Sequence, residues 1–176
     1  VLVLTAGFAV GCGDDDDDDG GGDGGGADLG TITEGQLLVG ADTPYPPFEI
    51  GQPPDISGFD IEIVNAVAEK VGLPATYQDT SFDTIFRDLA QGKFDMVASS
   101  TTITPEREKT VSFSDPYYLA DQSLMVKKGS DITTVDDVAG KTVGAQKGTT
   151  GAEFAEDQTD ASSVRTYGEI GDVFNA

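Results

Sequence analysis

Four consecutive hydroxyl residues followed closely by an arginine are the part of the sequence best suited to bind a ligand. Residues 99–102 read Ser-Ser-Thr-Thr, follow a short apolar segment and precede Pro105 and Arg107. Proline favours the first turn of a helix, so we expect Arg107 to lie within one turn of a helix start. Hydroxyl groups, free backbone N–H groups and a planar guanidinium together suit a carboxylate. The stretch predicts a binding site, and its chemistry indicates an amino acid as the ligand.

Three further candidates lie just after the ends of predicted strands. Asp42 and Tyr45 follow an apolar strand, and Phe82 comes shortly after a second one. In open parallel α/β sheets, ligands bind at the carboxyl ends of the strands. Asp42, Tyr45, Phe82 and the hydroxyl residue Ser100 therefore occupy the positions where such a sheet would present a binding site.

Alternating strands and helices must position these residues. Apolar residues recur at three- and four-residue spacing between Phe59 and Val71, which predicts a helix that ends at Gly72. The same alternation restarts after an extended run over residues 119–127. This order of elements predicts an α/β fold with parallel sheets. The predicted strands are 37–42, 75–78, 95–99, 141–146 and 163–167, with a hairpin or loop over 51–57, and the predicted helices are 59–71, 82–90, 134–139, 150–156 and one starting near 170.

The composition excludes several classes of function. The chain has no His and one Cys, which rules out Ser-His and Cys-His nucleophiles, multi-Cys or His zinc sites and an intrachain disulfide. A half-match to a calcium loop at Asp15–Gly20 lacks the glutamate that such a loop requires at its twelfth position. With 32 acidic and 10 basic residues, the chain should repel nucleic acid. We expect no metal, no cofactor and no nucleic-acid partner.

The N-terminal segment has the features of an export and anchoring signal. Residues 1–12 end an apolar run in Ala-Val-Gly-Cys, which resembles the lipobox of prokaryotic lipoproteins and predicts lipidation at Cys12. Residues 13–26 are only Asp and Gly and cannot bury apolar area, so residues 13–35 are predicted to form an Asp/Gly-rich disordered tether. The predicted location is the extracytoplasmic face of the cell membrane, with a lipid anchor. The alternative is a plain secreted protein with an unrelated cysteine.

The globular part contains a series of short motifs in a fixed order. The motifs are Asp42-Thr43-x-Tyr45-x-Pro47-Phe48, Gly58-Phe59-Asp60-Ile61, Phe82 ahead of Gly92-Lys93-x-Asp95, the segment from Ser99 to Arg107, Phe113-Ser114-Asp115-Pro116-Tyr117-Tyr118, and Gly140-Lys141-x-Val143-Gly144 before Gly148-Thr149-Thr150. Each motif is modest alone, but their order makes the set specific. Through these motifs the chain resembles the extracellular solute-binding proteins of polar amino-acid ABC transporters, which include lysine/arginine/ornithine-, histidine- and glutamine-binding proteins. The resemblance extends from residue 36 to about residue 170.

This resemblance implies a two-lobed clamshell of the type II periplasmic-binding-protein kind. Residues 36–118 would form the first segment of lobe 1, and residues 119–176 would form a truncated lobe 2. The C-terminal part of the fold, including an acidic partner for the ligand's α-ammonium, is expected to be missing from the chain. The implied function is capture of a polar or cationic L-amino acid by hinge closure and delivery to an ABC permease, without chemistry on the ligand.

The resemblance also assigns roles around the ligand's α-carbon. Arg107 would pair with the α-carboxylate through both arms of its guanidinium, a geometry that lysine does not reproduce. Backbone N–H groups at Thr102 and Thr150 would complete capture of the carboxylate. The Ser100 carbonyl and the Thr102 hydroxyl would accept hydrogen bonds from the α-ammonium.

Around the ligand side chain, the resemblance places Tyr45 and Phe82 as an aromatic clamp and Asp42 as the sensor of a distal polar group. Ordinary core packing of the two rings and a turn-forming role for Asp42 remain open, as do an arginine, lysine, histidine or glutamine ligand. Two other functions also remain open: a sensory or adhesive clamshell domain, and an enzyme similar to cyclohexadienyl dehydratase. The predicted ligand-binding residues are Asp42, Tyr45, Phe82, Ser100, Thr101, Thr102, Arg107, Thr149 and Thr150.

Overall fold

The computed structural model describes residues 29–176. The predicted signal-peptide end, the lipobox with Cys12 and most of the tether lie outside the described residues. The elements are β1 (Leu37–Ala41), β2 (Ile50–Gln52), β3 (Asp55–Ser57), α1 (Phe59–Val71), β4 (Ala75–Asp79), α2 (Ile85–Ala90), β5 (Met96–Val97), β6 (Thr142–Gln146), α3 (Thr150–Asp157), β7 (Ser163–Tyr167) and α4 (Ile170–Asn175), with 3-10 turns at Arg107–Lys109 and Val135–Val138.

The first sheet has the strand order β4-β1-β5, and both neighbours of β1 run parallel to it. In β1, Val39 is fully buried and pairs with Tyr77 of β4 and Met96 of β5. Helix α1 covers this sheet because its buried stripe, including Val64 and Ala68, packs into the same apolar cluster. Parallel strands need such cover on their faces, so the sheet and helix form one core.

The second sheet pairs β6 with β7 in parallel, and α3 and α4 pack against it. The antiparallel hairpin of β2 and β3 stands apart from both parallel sheets. The parallel sheets predicted from the alternation of strands and helices are therefore confirmed. Polar residues follow the carboxyl ends of β1, β5 and β6.

Several elements are shorter than the sequence predicts. Helix α2 begins at Ile85 instead of residue 82, because the preceding residues form a turn in which the Thr84 N–H bonds to the Ser81 carbonyl. Strand β5 has two residues, since the chain turns away at Ser100. The extended run at 119–127 forms no strand, and the predicted helix at 134–139 is a 3-10 turn. Arg107 begins a 3-10 turn and does not lie inside a longer helix.

The last residues of the predicted tether contact the first sheet. The Ile32 N–H donates to Asp95 Oδ1 at 2.7 Å, and the Leu38 N–H donates to Asp95 Oδ2 at 2.7 Å. One carboxylate thus joins Ile32, from the predicted tether, and Leu38, from β1, to the start of β5. Within residues 29–176, no helix combines the length and the apolar character required to span a membrane.

Candidate functional site

Asp42 and Gln146 join the two sheets at the carboxyl ends of β1 and β6. The Gln146 Nε2 donates to Asp42 Oδ2 at 2.6 Å and to the Gly168 carbonyl at 3.1 Å. The Asp42 N–H donates to the Ser99 hydroxyl at 2.9 Å, which fixes the end of β1 against the end of β5. Both Asp42 and Gln146 are buried. The two sheets therefore meet at a polar contact that excludes most water.

Burial raises the pKa of Asp42, and the hydrogen bond from Gln146 partly opposes that rise. Asp79 and Glu169, both acidic, add a smaller repulsion. Among residues 29–176, no basic side chain forms an ion pair with Asp42. A buried carboxylate without a cation is costly, so a cationic group arriving here from a ligand would stabilise it.

Arg107 spans the gap between the hydroxyl segment and the loop after β6. Its Nη1 donates to the Thr102 carbonyl at 2.7 Å, and its Nη2 donates to the Gly148 carbonyl at 3.0 Å. The guanidinium lies 4.6 Å from the centre of the Phe86 ring and 5.6 Å from that of Phe82. Because a guanidinium has five N–H groups, two carbonyl bonds leave donors for a carboxylate.

The Phe82 and Phe86 rings form an apolar surface against which the Arg107 guanidinium packs. Burial lowers the pKa of Arg107, and the nearby Glu153 carboxylate opposes this. Phe82 is buried and packs edge-on against Phe86, with ring centres 5.9 Å apart. This stacking restricts the guanidinium before a ligand arrives, which reduces the entropy that binding must remove.

Ser100 has the conformation of a residue held in place by its neighbours. Its φ of 45° lies in the left-handed region, which costs a non-glycine residue about 1–2 kcal/mol. The Ser100 N–H and hydroxyl both donate to Asp60 Oδ2, at 2.6 and 3.0 Å. These two bonds to a carboxylate offset that cost and fix the direction of the Ser100 carbonyl.

The start of α3 brings Thr149 and Thr150 to the same place. Thr149 caps the helix by accepting from the Ala152 N–H at 3.2 Å, while its hydroxyl donates to the Gln146 carbonyl at 2.7 Å. The Thr150 hydroxyl lies 3.4 Å from that of Thr102 and accepts from Gln122 Nε2 at 2.9 Å. Free N–H groups in the first turn of α3 therefore lie next to the hydroxyl segment, an arrangement that favours anions.

Tyr45 and Thr101 complete the set of predicted residues. Tyr45 stacks on Phe48 with ring centres 5.8 Å apart and is 37% exposed, so it keeps a free face. Thr101 is half-buried within the hydroxyl segment. Phe82 differs from Tyr45, because its burial against Phe86 gives it a share in the core. A clamp made by Tyr45 and Phe82 stays a prediction.

The site includes residues that the motifs did not single out. Phe86 follows Phe82 by one helical turn, and that spacing was the available signal for a ring beneath Arg107. Gln122 and Gln146 gave no local signal, since the side chains that they contact, Thr150 and Asp42, lie 28 and 104 residues away. Asp60 stands in one of the motifs, but its contact with Ser100, 40 residues away, had no local signal. In the part of the chain that the structure describes, no group of three or more Cys, Asp or Glu side chains is arranged to hold a metal ion.

An ion pair at the edge of the site also links the two sheets. Lys147 Nζ lies 2.7 Å from Asp83 Oδ2, with Lys147 largely exposed, and the Lys147 hydrogen bond lowers the pKa of Asp83. We expect Asp83→Asn to lower the free energy of unfolding by less than about 1 kcal/mol, because solvent screens the pair. Urea unfolding of both proteins at low and high salt measures this. A larger loss that persists in high salt would contradict it.

The same set of elements is found in proteins of known family. The model for bacterial extracellular solute-binding proteins, family 3, matches residues 37–167. The chain belongs to this family. The family 3 chain is 42% identical over 113 residues to the arginine-binding extracellular protein ArtP of Bacillus subtilis, covering 64% of this chain and 44% of ArtP. It is 35% identical over 146 residues to ABC transporter arginine-binding protein 1 of Escherichia coli, covering 82% and 60% of the two chains.

Solved structures support the fold of this family 3 chain. An ancestral amino acid-binding protein, AncCDT-1, described as a precursor of cyclohexadienyl dehydratase, superposes with a TM-score of 0.76 at 37% identity, covering 80% of this chain and 64% of that one. Arginine-bound ArgBP from T. maritima, truncated to residues 20–233, gives 0.74 at 38% identity, covering 80% and 68%. The predicted periplasmic-binding-protein-like α/β fold is confirmed. The chain spans about half the length of the curated relatives it matches.

Proposed function

We propose that the protein captures a cationic L-amino acid, arginine first among the candidates, for an ABC importer. The observation that carries the proposal is a pair of opposite charges at one junction between the sheets. Arg107 bonds to the Gly148 carbonyl, and Asp42 bonds to the Gln146 side chain. A zwitterionic ligand with a cationic side chain matches both: its carboxylate suits the guanidinium, and its distal cation suits the buried Asp42.

The ligand's α-ammonium would bind to oxygen atoms of the hydroxyl segment. The Ser100 carbonyl and the Thr102 hydroxyl are the proposed acceptors, while N–H groups at Thr102 and Thr150 assist Arg107. Contacts between the hydroxyl segment and the start of α3 support this arrangement, since they bring both halves of the site together. Tyr45 offers an exposed ring face for the aliphatic part of the ligand. Thr101 and Thr149 line the same segments.

Capture would proceed by closure of two lobes about a hinge near residue 119. Residues 36–118 form the proposed first lobe, and residues 119–176 belong to the second. What supports this is that Asp42 and Gln146, from different sheets, share a buried hydrogen bond, as closure of the two lobes would bring about. Ligand that binds the closed state better shifts the protein toward it. Delivery to a membrane permease completes the proposed role, with a lipid anchor at Cys12.

Two relatives are named as binding arginine, a basic amino acid, and other relatives are named for different amino acids. ArtP and the Escherichia coli protein are named as arginine-binding, and TcyJ of the same species as L-cystine-binding. One solved structure is an ancestral arginine-binding protein bound to glutamine. These names describe binding proteins, which favours capture over catalysis for this chain. Arginine, lysine, histidine, glutamine and cystine are therefore the ligands to compare.

A thermal-shift screen of the full-length protein against all twenty amino acids and cystine tests the proposal. Ligand that binds the folded state alone raises the melting temperature with the logarithm of its concentration over Kd. We expect the largest shift with arginine, confirmed by calorimetric titration. If no amino acid shifts the melting temperature, the capture function is wrong. An assay for cyclohexadienyl dehydratase activity and a search for adhesive partners would follow.

The charge of Asp42 should decide between basic and amide ligands. We expect Asp42→Asn to weaken arginine binding by about 10- to 100-fold, since a charge-assisted hydrogen bond contributes about 1.5–3 kcal/mol. Glutamine binding should change by less than threefold, because an amide does not require the charge. Calorimetric titration of both ligands measures the ratio. Asp131→Asn, at an exposed loop position, is the matched control. Equal losses for both ligands would contradict a charge-reading role.

A further inference from the structure

Two carboxyl groups meet in the core behind the hydroxyl segment. Glu49, in the loop between β1 and β2, has no exposed surface, and Asp60, near the start of α1, is 1% exposed. As ionised groups, both oxygens of Glu49 and Oδ1 of Asp60 would lack any hydrogen-bond donor. Buried acceptors in native proteins are almost always satisfied, so this arrangement requires an explanation.

The other oxygen of Asp60 is fully used. Asp60 Oδ2 accepts from the Ser100 N–H and hydroxyl and from the Tyr117 hydroxyl, the last at 2.9 Å. All three donors bind this one oxygen, which leaves Asp60 Oδ1 without a hydrogen-bond donor. Asp60 thus links the left-handed Ser100 to the segment that leads toward the proposed hinge.

Glu49 has the opposite surroundings. The groups that face it are Asp60, Asp42, Tyr45 and Tyr117, all acidic or phenolic, with no basic side chain among them. Burial, repulsion by Asp60 and a hydrogen bond with Asp60 raise the pKa of Glu49 to about 9. Contact between two carboxyls becomes a hydrogen bond only when one of them holds a proton. The proton belongs on Glu49, since Asp60 has the donors.

We propose that Glu49 is a positioning residue, a protonated acid that donates to Asp60 Oδ1 and so holds Asp60 against Ser100 in the binding site. The inference rests on the proposed function, because it assigns Ser100 to the ligand. One proton then satisfies Asp60 Oδ1 and one Glu49 oxygen together. Loss of that proton leaves two adjacent buried carboxylates, which repel and displace Asp60 from the Ser100 N–H.

The direction of the pH dependence follows from the two states. Between about pH 4.5, the ordinary value for Glu, and about pH 9, the folded protein keeps a proton on Glu49 that the unfolded chain releases. Stability contributed by the neutral acid is therefore complete below pH 4.5 and declines as pH rises toward 9. Well above pH 9 both states are ionised, and this contribution no longer changes.

Glu49→Gln in the full-length protein is the test, because the amide still donates to Asp60 but does not titrate. Glu69→Gln, at an exposed position of α1, is the matched control. On unfolding at neutral pH, Glu49→Gln should take up about one proton more than wild type and the Glu69→Gln control do, because Glu49 releases its proton when the chain unfolds. Melting temperatures from pH 5 to 10 should fall more steeply in wild type and control. Infrared spectra should show a protonated carboxyl band that only Glu49→Gln removes.

L-Arginine titrations test the positioning role directly. At about pH 10, above the pKa of about 9, most of Glu49 is ionised. Glu49→Gln should therefore bind arginine better relative to wild type than it does at pH 7, by on the order of tenfold. Titration of arginine's own ammonium affects all variants alike and cancels in this ratio. Parallel profiles for wild type and Glu49→Gln would overturn the proposal. If wild type fails to bind any amino acid, the proposed function is wrong. Ligand-free melting and the infrared band still decide whether Glu49 is protonated beside Asp60.

Discussion

Replacing Arg107 by alanine is expected to reduce amino-acid affinity by tens- to thousands-fold. In the proposed site the guanidinium is the group that neutralises the ligand's carboxylate. Removing one partner of a buried, hydrogen-bonded charge pair costs about 2–5 kcal/mol. The stacking on Phe86 and the bonds to Thr102 and Gly148 hold the guanidinium in place, so its loss removes a positioned cation from the site. Calorimetric titration with arginine, or with whichever amino acid the screen identifies, measures the loss.

Two further variants separate charge from geometry at this position. Arg107→Lys keeps the charge but lacks the planar fork, and we expect it to recover less than a tenth of the lost affinity. Arg165→Ala removes an exposed arginine of β7 and should leave affinity unchanged. Melting temperature without ligand shows whether each variant folds. Wild-type affinity in a folded Arg107→Ala protein would contradict the proposed carboxylate site.

Gly58→Ala is expected to destabilise the fold by more than about 4 kcal/mol, an exceptional loss for one substitution that a clash with buried backbone would explain. Gly58 precedes α1 with a φ of 123°, a conformation that residues with a Cβ rarely adopt. A Cβ at this position would lie 2.3 Å from the Phe48 carbonyl oxygen and 2.9 Å from that of Pro47. Backbone atoms cannot move aside as a flexible side chain would. Urea unfolding monitored by circular dichroism measures the change.

Gly92→Ala provides a control with the same chemistry and open surroundings. Gly92 has a left-handed φ of 72°, but no atom lies within 4 Å of a Cβ placed there. The expected loss is the conformational cost alone, about 1–2 kcal/mol. Similar losses at Gly58 and Gly92 would show that the contact with Phe48 contributes nothing. A much larger loss at Gly58 would confirm that α1 starts where two loop carbonyls leave no space.

The sequence predicted the elements whose causes are local. Helix α1 occupies Phe59–Val71 as its apolar spacing required, and Gly72 ends it with a left-handed φ of 72°. Strand β7 at Ser163–Tyr167 also has its predicted bounds. Periodicity and end signals lie within a few residues of each other, so one sequence suffices to read them. Arg107 was predicted as a site residue in the same way, from neighbours fewer than ten residues away.

The parts of the site that the sequence did not reveal depend on distant partners. Gln146 reaches Asp42 across 104 residues, and Asp60 reaches Ser100 across 40. No periodic pattern in the sequence predicts such a contact for a single glutamine or aspartate. The protonation of Glu49 is harder still to predict from the sequence, since it follows from the complete burial of the side chain. Burial and long-range pairing are properties of the folded chain, and local spacing contains little of either.

Asp95 determines where a force on the N-terminal side of the chain enters the first sheet. Its two carboxylate oxygens hold Ile32 and Leu38, one on each side of a short turn that leads into β1. A pull on the N-terminal side of the chain therefore reaches Ile32 first and passes through Asp95 to the strand beside β1. Because Leu38 belongs to β1, the same carboxylate also passes the load to the central strand, whose residues Val39 and Ala41 are fully buried. Tension from outside the domain is thus spread over two strands before it can peel the core open.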